Sequence, residues 1–380
     1  MYRSDLVSAN DAAAGSAVFV RDERGKALGT AMYSSASQIA LRLISSEPLS
    51  GPAQLIELLR QRITQALEYR HQLLGNAKGT TACRLIYSEA DGLPGLIVDR
   101  YGDLLSLQAL TQGMDREDVK QAVIDGLLAQ PRWEIAAVVE RVEPRVRELE
   151  QLPPASNRTL CGSKTATMYE LNGARFHYDG LSGQKTGAFL DQRENYAAAE
   201  QYARGRALDV FCYQGGFALH LARRCQAVTA VDSSRTALEV AEQNAALNQQ
   251  PGFPEIEWIE ANAFDLLKDY ASAGRQYETI VLDPPAFAKS RRNLETAMRG
   301  YKELNLRAFK MLPPEGLLVT CSCSYHVSEY DFQEMLLSAA ADAGRRVWMV
   351  EKRGQSKDHP VLLSVPESSY LKCFICRVVA

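Results

Sequence analysis

The segment Arg206–His220 reads RALDVFCYQGGFALH: a strand-like run, a turn carrying Gly215 and Gly216, then the start of an apolar helix. A strand that passes through a glycine turn directly into a helix is the opening move of an open α/β sheet, and the flanking sequence repeats it. Downstream, AVTAVD, EIEWIE, YETIVLD and GLLVTCS are strand-like, and SSRTALEVAEQNAALN and LETAMRGYKELNLRAFKML between them carry helical patterns. Alternation at this spacing predicts a parallel sheet with helices on both faces. At the C-terminal end VWMVE, VLLSV and YLKCFICRVV follow without intervening helices, and the last two are expected to close the sheet as an antiparallel hairpin.

Ligands of such sheets bind beyond the carboxyl ends of the strands. Gly215 and Gly216 allow backbone to approach a ligand there, and Asp232, which ends AVTAVD, is an acid about 20 residues past the turn, a spacing suited to ribose hydroxyls. The turn is not G-x-G-x-x-G, so nicotinamide and flavin chemistry lose support. Taken singly, a glycine pair is a tight turn and Asp232 a helix cap. Asp283 adds weight: in YETIVLDPPAFAKS it stands at another strand end, before a Pro284-Pro285 turn that cannot continue a ladder. Cys321 and Cys323 occupy the end of GLLVTCSCS, so acids, glycines and thiols fall on successive strand ends.

Upstream, GSAVFVRDERGKALGTAMYSSASQIALRLIS (Gly15–Ser45) reads as short strands with a hairpin at Arg24-Gly25, followed by an amphipathic helix from about Pro52 to Leu74. RLIYSEADGLPGLIVDRYGDLLSLQAL (Arg84–Leu110) alternates strand and turn, then come a helix near Arg116–Leu128 and a strand near Ile135–Glu140; QLPPASNR (Gln151–Arg158) has linker character. The expected division is 1–75, a small barrel with its helix; 76–165, an α+β unit; and 166–380, the α/β sheet. The whole chain has 380 residues, is 46% hydrophobic and 23% charged, and carries a formal charge of −3, which excludes a uniformly basic nucleic-acid coat but not a local basic groove. No apolar run suits a membrane span and MYRSDLVSANDAAAG has no secretory pattern; eight scattered cysteines fit a reducing cytoplasm.

In combination, MYRSD at the start, SQIALRL (Ser37–Leu43), EADGLPGLIVDRYGD (Glu89–Asp103), QKTGAFLDQREN (Gln184–Asn195), DVFCYQGGFA (Asp209–Ala218), VDSS (Val231–Ser234), DPPAF (Asp283–Phe287) and TCSCS (Thr320–Ser324) resemble the ribosomal RNA large subunit cytosine-5 methyltransferase I family. The resemblance implies a PUA-like RNA-binding barrel, a small central α+β domain and a Rossmann-like class I methyltransferase domain with a seven-stranded sheet. It implies S-adenosylmethionine as cofactor and ribosomal RNA as partner. Asp209, Gly215 and Asp232 would line the cofactor site, with Asn262 and Ala263 by the adenine and Gln192 and Arg193 at the methionine end. Arg193 suits a carboxylate, because a guanidinium pairs with one bidentately. Family chains begin with a further strand-length segment, so an N-terminally incomplete barrel is expected. Asn262 stands where many relatives carry an acid, its carbonyl being the group offered to an amino group. Ala286 stands where other RNA cytosine-5 methyltransferases place a second cysteine.

Cytosine C5 is a poor nucleophile until a thiolate adds at C6, so the chemistry needs one thiolate beside the methyl donor. By alignment that residue is Cys321, with Cys323 as support or with the roles exchanged, and Asp283 on the N3/N4 edge of the base. No metal is expected: Cys321-x-Cys323 and Cys373-x-x-Cys376 would have to fold together to supply four ligands. His326 and His359 read as surface or capping residues, and AKSRRN (Ala288–Asn293) as a phosphate contact or a solvated loop. Uracil C5 or guanine methylation and a non-catalytic RNA-binding role are the alternatives. A homodimer is among the assemblies the sequence allows.

Overall fold

The computed structural model describes residues 1–9, 11–75, 77–182, 187–288 and 290–379. Gln184, Lys185 and Thr186 of the QKTGAFLDQREN motif and Lys289 of the basic run lie outside the described residues. The chain forms two compact units. One comprises Met1–Leu171, Tyr178–Ala188 and Asp358–Val365; the other comprises Asn172–His177, Phe189–Lys357 and Pro366–Ala380.

In the first unit, strands Ala17–Arg21, Ala27–Tyr33 and Leu41–Ser45 form an antiparallel three-stranded sheet. Its first hairpin turns at Gly25, whose φ of 78° is costly for any residue with a Cβ. The helix Pro52–Leu74 buries Leu55, Leu59, Ile63, Ala66 and Leu67, one stripe at helical spacing. Arg70 continues that stripe although it is charged. It is fully buried, and Asp91 answers it with two contacts of 2.5 and 2.8 Å, as a buried guanidinium requires. A second sheet runs in the order Ala82–Tyr87, Leu96–Tyr101, Leu104–Ala109, Ala137–Glu140, Arg158–Cys161.

The second unit is built on a seven-stranded sheet in the order Ile256–Glu260, Ala227–Asp232, Arg206–Val210, Thr279–Leu282, Leu317–Ser322, Lys372–Val379, Arg346–Arg353. The first five strands are parallel; Lys372–Val379 runs antiparallel to both of its neighbours, so Arg346–Arg353 has the direction of the first five. TIVL and LLVTCS are buried at every residue, the signature of strands covered on both faces. Leu208, Ile280, Leu282 and Leu318 share a core with Tyr301, Leu304 and Phe309 of the helix Leu294–Met311 and with Phe332 and Leu336 of the helix Glu329–Asp342. Arg206–Val210 pairs with Ala227–Asp232 on one side and Thr279–Leu282 on the other, so the order of crossovers reverses there. The crevice above that reversal is where open α/β sheets take ligands.

Two expectations need correction. Val361–Val365 is not a strand: Pro360 and Pro366 bracket it, and Val365 N–H closes a turn on the Leu362 carbonyl at 2.8 Å. The final hairpin instead pairs Arg346–Arg353 with Lys372–Val379. His359 is no surface residue. It is 2% exposed, with Nδ1 3.3 Å from Asp358 Oδ1 and its ring against Tyr87.

Candidate active site

The turn after Arg206–Val210 is bent more sharply than a tight turn needs. Phe211 (φ 69°), Tyr213 (φ 48°) and Gly215 (φ 86°) all lie in the left-handed region, which costs a residue with a side chain about 1–2 kcal/mol. Backbone bonds hold it there. Phe211 and Cys212 both donate to the Val231 carbonyl (2.8 and 3.0 Å), and Gly215 donates to Cys212 (2.8 Å). Tyr213 N–H donates to Asp232 Oδ2 at 2.9 Å. Strain held this firmly at a strand end marks a place where backbone is presented to something. The glycines also answer to packing: a Cβ on Gly216 would come within 2.5 Å of the Tyr196 hydroxyl, and one on Gly215 within 2.9 Å of the Trp258 ring.

Asp209 and Asp232 stand on adjacent strands and differ in their surroundings. Asp232 is half-buried, and its second oxygen accepts from Ser234 N–H at 2.9 Å, so the acid shapes both the turn and the following helix start. Asp209 is wholly buried. Its Oδ2 accepts from Ala218 N–H at 2.8 Å, while Oδ1 has no hydrogen-bond partner. Burial pushes its pKa well above the ordinary carboxylate value, and the Asp283 and Asp232 charges push the same way. An orphaned acceptor in this position is what a cationic or hydrogen-bond-donating ligand would complete.

Asn262 caps the helix Ala263–Ser272: its Oδ1 accepts from Phe264 and Asp265 N–H at 2.9 and 3.4 Å. The carbonyl that the sequence reading offered to an adenine amino group is therefore already engaged. Ala263, 7% exposed, lies in the first turn of that helix.

Asp283 follows Thr279–Leu282 and is tied to Val210 by its own N–H (3.3 Å). Gln192, 2% exposed, donates from Nε2 to Asp283 Oδ1 at 3.0 Å and accepts from Asn195 Nδ2 at 2.7 Å. Arg353 Nε donates to Asn195 Oδ1 at 3.0 Å, extending the chain of bonds to the antiparallel edge of the sheet. Gln192 is thus a support for Asp283. Arg193, beside it, is 3% exposed and lies 3.4 Å from Glu194. Asn195 and Arg353 were missed by sequence reasoning, because nothing in spacing links residues so far apart in the chain.

The two thiols of TCSCS are not equivalent. Cys321 is the second-last residue of Leu317–Ser322, directly opposite Cys373, and is 0% exposed. Burial, then the neighbouring Cys373, raises its pKa well above that of an ordinary thiol. A thiol so placed is held in its neutral form and away from solvent. Cys323 lies past the strand end, half-buried, with Sγ 3.8 Å from the carbonyl oxygen of Pro284 in the Asp283-Pro284-Pro285 turn. Its flanking serines are pinned. Ser322 Oγ donates to the Tyr301 hydroxyl at 3.1 Å, that hydroxyl meets Ser324 Oγ at 3.0 Å, and Ser324 Oγ accepts from Ala288 N–H at 3.2 Å. Arg291 and Arg292, past the same turn, are exposed.

A family model described as S-adenosylmethionine-dependent methyltransferase matches residues 119–377, and a PUA-like domain model matches residues 1–46. Curated relatives include the ribosomal RNA large subunit methyltransferase I of Yersinia pestis bv. Antiqua (strain Angola) and that of Yersinia pseudotuberculosis serotype O:3 (strain YPIII). Each is 36% identical over 375 residues, covering 97% of this chain and 92% of the relative. Among solved structures, a SAM-dependent methyltransferase from Streptococcus mutans aligns with a TM-score of 0.79 at 19% identity, over 97% of this chain and 93% of that one. Another, from Agrobacterium tumefaciens, aligns at 0.54 and 16% identity over 80% and 92%. At these identities the solved structures speak for the fold alone. Among the described residues no helix is long and apolar enough to cross a membrane.

Proposed function

Because the chain belongs to the ribosomal RNA large subunit methyltransferase I family of S-adenosylmethionine-dependent methyltransferases, we propose that it methylates C5 of a cytosine in large-subunit ribosomal RNA, through a transient bond from a cysteine sulfur to C6. The observation that carries the reading is the pairing of a half-buried Cys323 with the Asp283-Pro284-Pro285 turn, 3.8 Å from sulfur to carbonyl, at the ligand edge of the sheet. A guanine-modifying site has no use for a thiol there.

S-Adenosylmethionine supplies a sulfonium methyl as electrophile. Asp232 is suited to its ribose hydroxyls, the orphaned Oδ1 of Asp209 and the buried Arg193 to its methionine end, and Ala263 with the free amide side of Asn262 to its adenine. On the substrate side, the Cys323 thiolate adds to C6 as Asp283 gives a proton to N3, which leaves C5 electron-rich. C5 would take the methyl group as the donor's S–CH3 bond breaks to leave a neutral thioether; the C5 proton then leaves to solvent, the C5–C6 double bond re-forms, the C6–S bond breaks and Asp283 recovers its proton. Gln192 fixes the Asp283 carboxyl for this exchange. RNA is held by the PUA-like region and the exposed Arg291 and Arg292 through phosphate contacts. We place the domain boundaries near residues 75 and 165.

The test is methyl transfer to deproteinised and assembled ribosomal RNA, with the product base identified by mass spectrometry. RNA carrying 5-fluorocytosine, whose fluorine blocks the final proton loss, is expected to trap a denaturation-resistant adduct whose peptide contains Cys323. An adduct at Cys321 would exchange the roles of the thiols. Methylguanine with no adduct would overturn the reading.

A further inference from the structure

Lys372 is charged, 8% exposed, and set in the antiparallel strand Lys372–Val379, directly opposite Ser322. A lysine at that depth is costly unless its ammonium is answered. Nζ donates to the carbonyl of Ser324 at 2.7 Å and to that of Tyr370 at 2.8 Å. Those contacts satisfy hydrogen bonds and leave the charge unneutralised. The ionisable groups that favour its charged form are Cys323, then Glu329. Glu329 already has a cation of its own, Lys352 at 2.9 Å. The helix Leu294–Met311 presents Tyr301, whose hydroxyl is committed to Ser322 and Ser324, and Tyr370 donates its own hydroxyl to Asp191. Of the two, Cys323 is the group whose ionised form would answer this buried ammonium, and it adjoins the Ser324 carbonyl that the ammonium bonds.

We propose that Lys372 is a positioning residue for methyl transfer: its ammonium, anchored beneath the Cys323-Ser324 turn, holds the Cys323 sulfur as a thiolate aimed at the base. This rests on the proposed role of Cys323. Two features support it independently. The turn that carries the sulfur is tied down on both sides, by Lys372 at the Ser324 carbonyl and by Tyr301 and Ala288 at the serine hydroxyls. Burial also lowers the Lys372 pKa to about 8, so at neutral pH the group is still an ammonium, but one poorly solvated and receptive to an anion. When sulfur bonds to C6 the thiolate charge disappears. The stabilisation is lost on adduct formation and returns when the C6–S bond breaks, which favours release of the product.

The test is the rate of alkylation of Cys323 by iodoacetamide in the full-length protein across the neutral and alkaline range, read peptide by peptide. Cys161, half-buried and in the first compact unit, is the internal control. Lys372→Gln retains an N–H donor for the Ser324 and Tyr370 carbonyls without the charge, and Lys372→Arg retains the charge. In Lys372→Gln the Cys323 rate at neutral pH is expected to fall at least about threefold, the effect of about half a pKa unit. Its inflection should move toward the ordinary thiol value of about 8.5. Cys161 should be unchanged, and Lys372→Arg should restore most of the rate. An unmoved Cys323 profile in Lys372→Gln would overturn the inference, as would loss of the rate in both variants alike. The 5-fluorocytosine adduct separates this from failure of the functional reading: an adduct at Cys323 with an unmoved profile rejects only the role of Lys372, whereas no adduct at Cys323 rejects both.

Discussion

Asp209→Asn is expected to make the ligand-free protein more stable while weakening its hold on S-adenosylmethionine. The carboxyl is wholly buried, one oxygen accepts from Ala218 N–H at 2.8 Å, and the other has no partner. Its folded pKa is raised, by burial first and by Asp283 and Asp232 after it. The native state therefore keeps this proton to higher pH than the unfolded chain does. Stability from the group is complete below the ordinary carboxylate value and is lost as pH rises through the raised one, at up to about 1.4 kcal/mol per pH unit. Asparagine keeps the acceptor for Ala218 and removes the charge, so it escapes that loss. The variant should match the wild type near pH 4 and exceed it by about 1–3 kcal/mol near pH 8, the cost of a buried group left without compensation. For a unit of this size that is about 2–10 °C in Tm. Removing an ionised acceptor from the cofactor should cost about 1.5–3 kcal/mol, or about 10–150-fold in Kd. Melting curves of both proteins across this pH range, with calorimetric titration of the cofactor, check both halves. Parallel Tm profiles with the variant never above the wild type, or an unchanged Kd, would refute the reasoning.

Cys321→Ala should lose about 1–2 kcal/mol in chemical denaturation, because a fully buried side chain leaves a small cavity, and should still methylate. Cys323→Ala should stay within about 0.5 kcal/mol of wild type and form no product in a radiolabelled methyl-transfer assay. Gly216→Ala puts a Cβ 2.5 Å from the Tyr196 hydroxyl, so it should destabilise by about 1–3 kcal/mol in urea unfolding. The Lys372 pKa of about 8 lies below its ordinary 10.5, so the native state sheds this proton first as pH rises. Between those values wild-type stability should climb relative to Lys372→Met by up to about 3 kcal/mol, and alkaline melting curves that stay parallel would exclude it.

That the sheet is parallel was legible from strand-like runs alternating with helical patterns, most plainly in TIVL and LLVTCS, whose continuous apolar runs suit strands covered on both faces. VLLSV was misread for the same reason. Its composition is that of a strand, but Pro360 and Pro366 deny the flanking donors that a ladder needs, and Leu363 is 92% exposed. Arg70 was not singled out, since helical spacing marks a position as buried without saying that a carboxylate waits at it; Asp91 is supplied by a turn that the spacing does not reach.

At the site, the residue types and their strand ends were legible, but the different burial of the two thiols was not. Cys321 and Cys323 differ by one strand alternation, so both project to the same side and alignment to a short motif cannot separate them. What separates them is the end of the strand. Cys321 is still in register with Cys373, inside the ladder, whereas the ladder stops at the Ser322–Lys372 pair and Cys323 turns out beyond it. That end point is fixed by where the antiparallel strand begins, and it begins at Lys372, fifty positions away in the chain. The residue that ends the ladder is also the one whose ammonium bonds the Ser324 carbonyl, next to Cys323. Exposure of the thiol and the charge that would ionise it are therefore set by one structural event, the start of the antiparallel strand. A one-residue slip in the register of Lys372–Val379 against Leu317–Ser322 would turn every side chain of that strand to the other face and carry the Lys372 ammonium away from the turn.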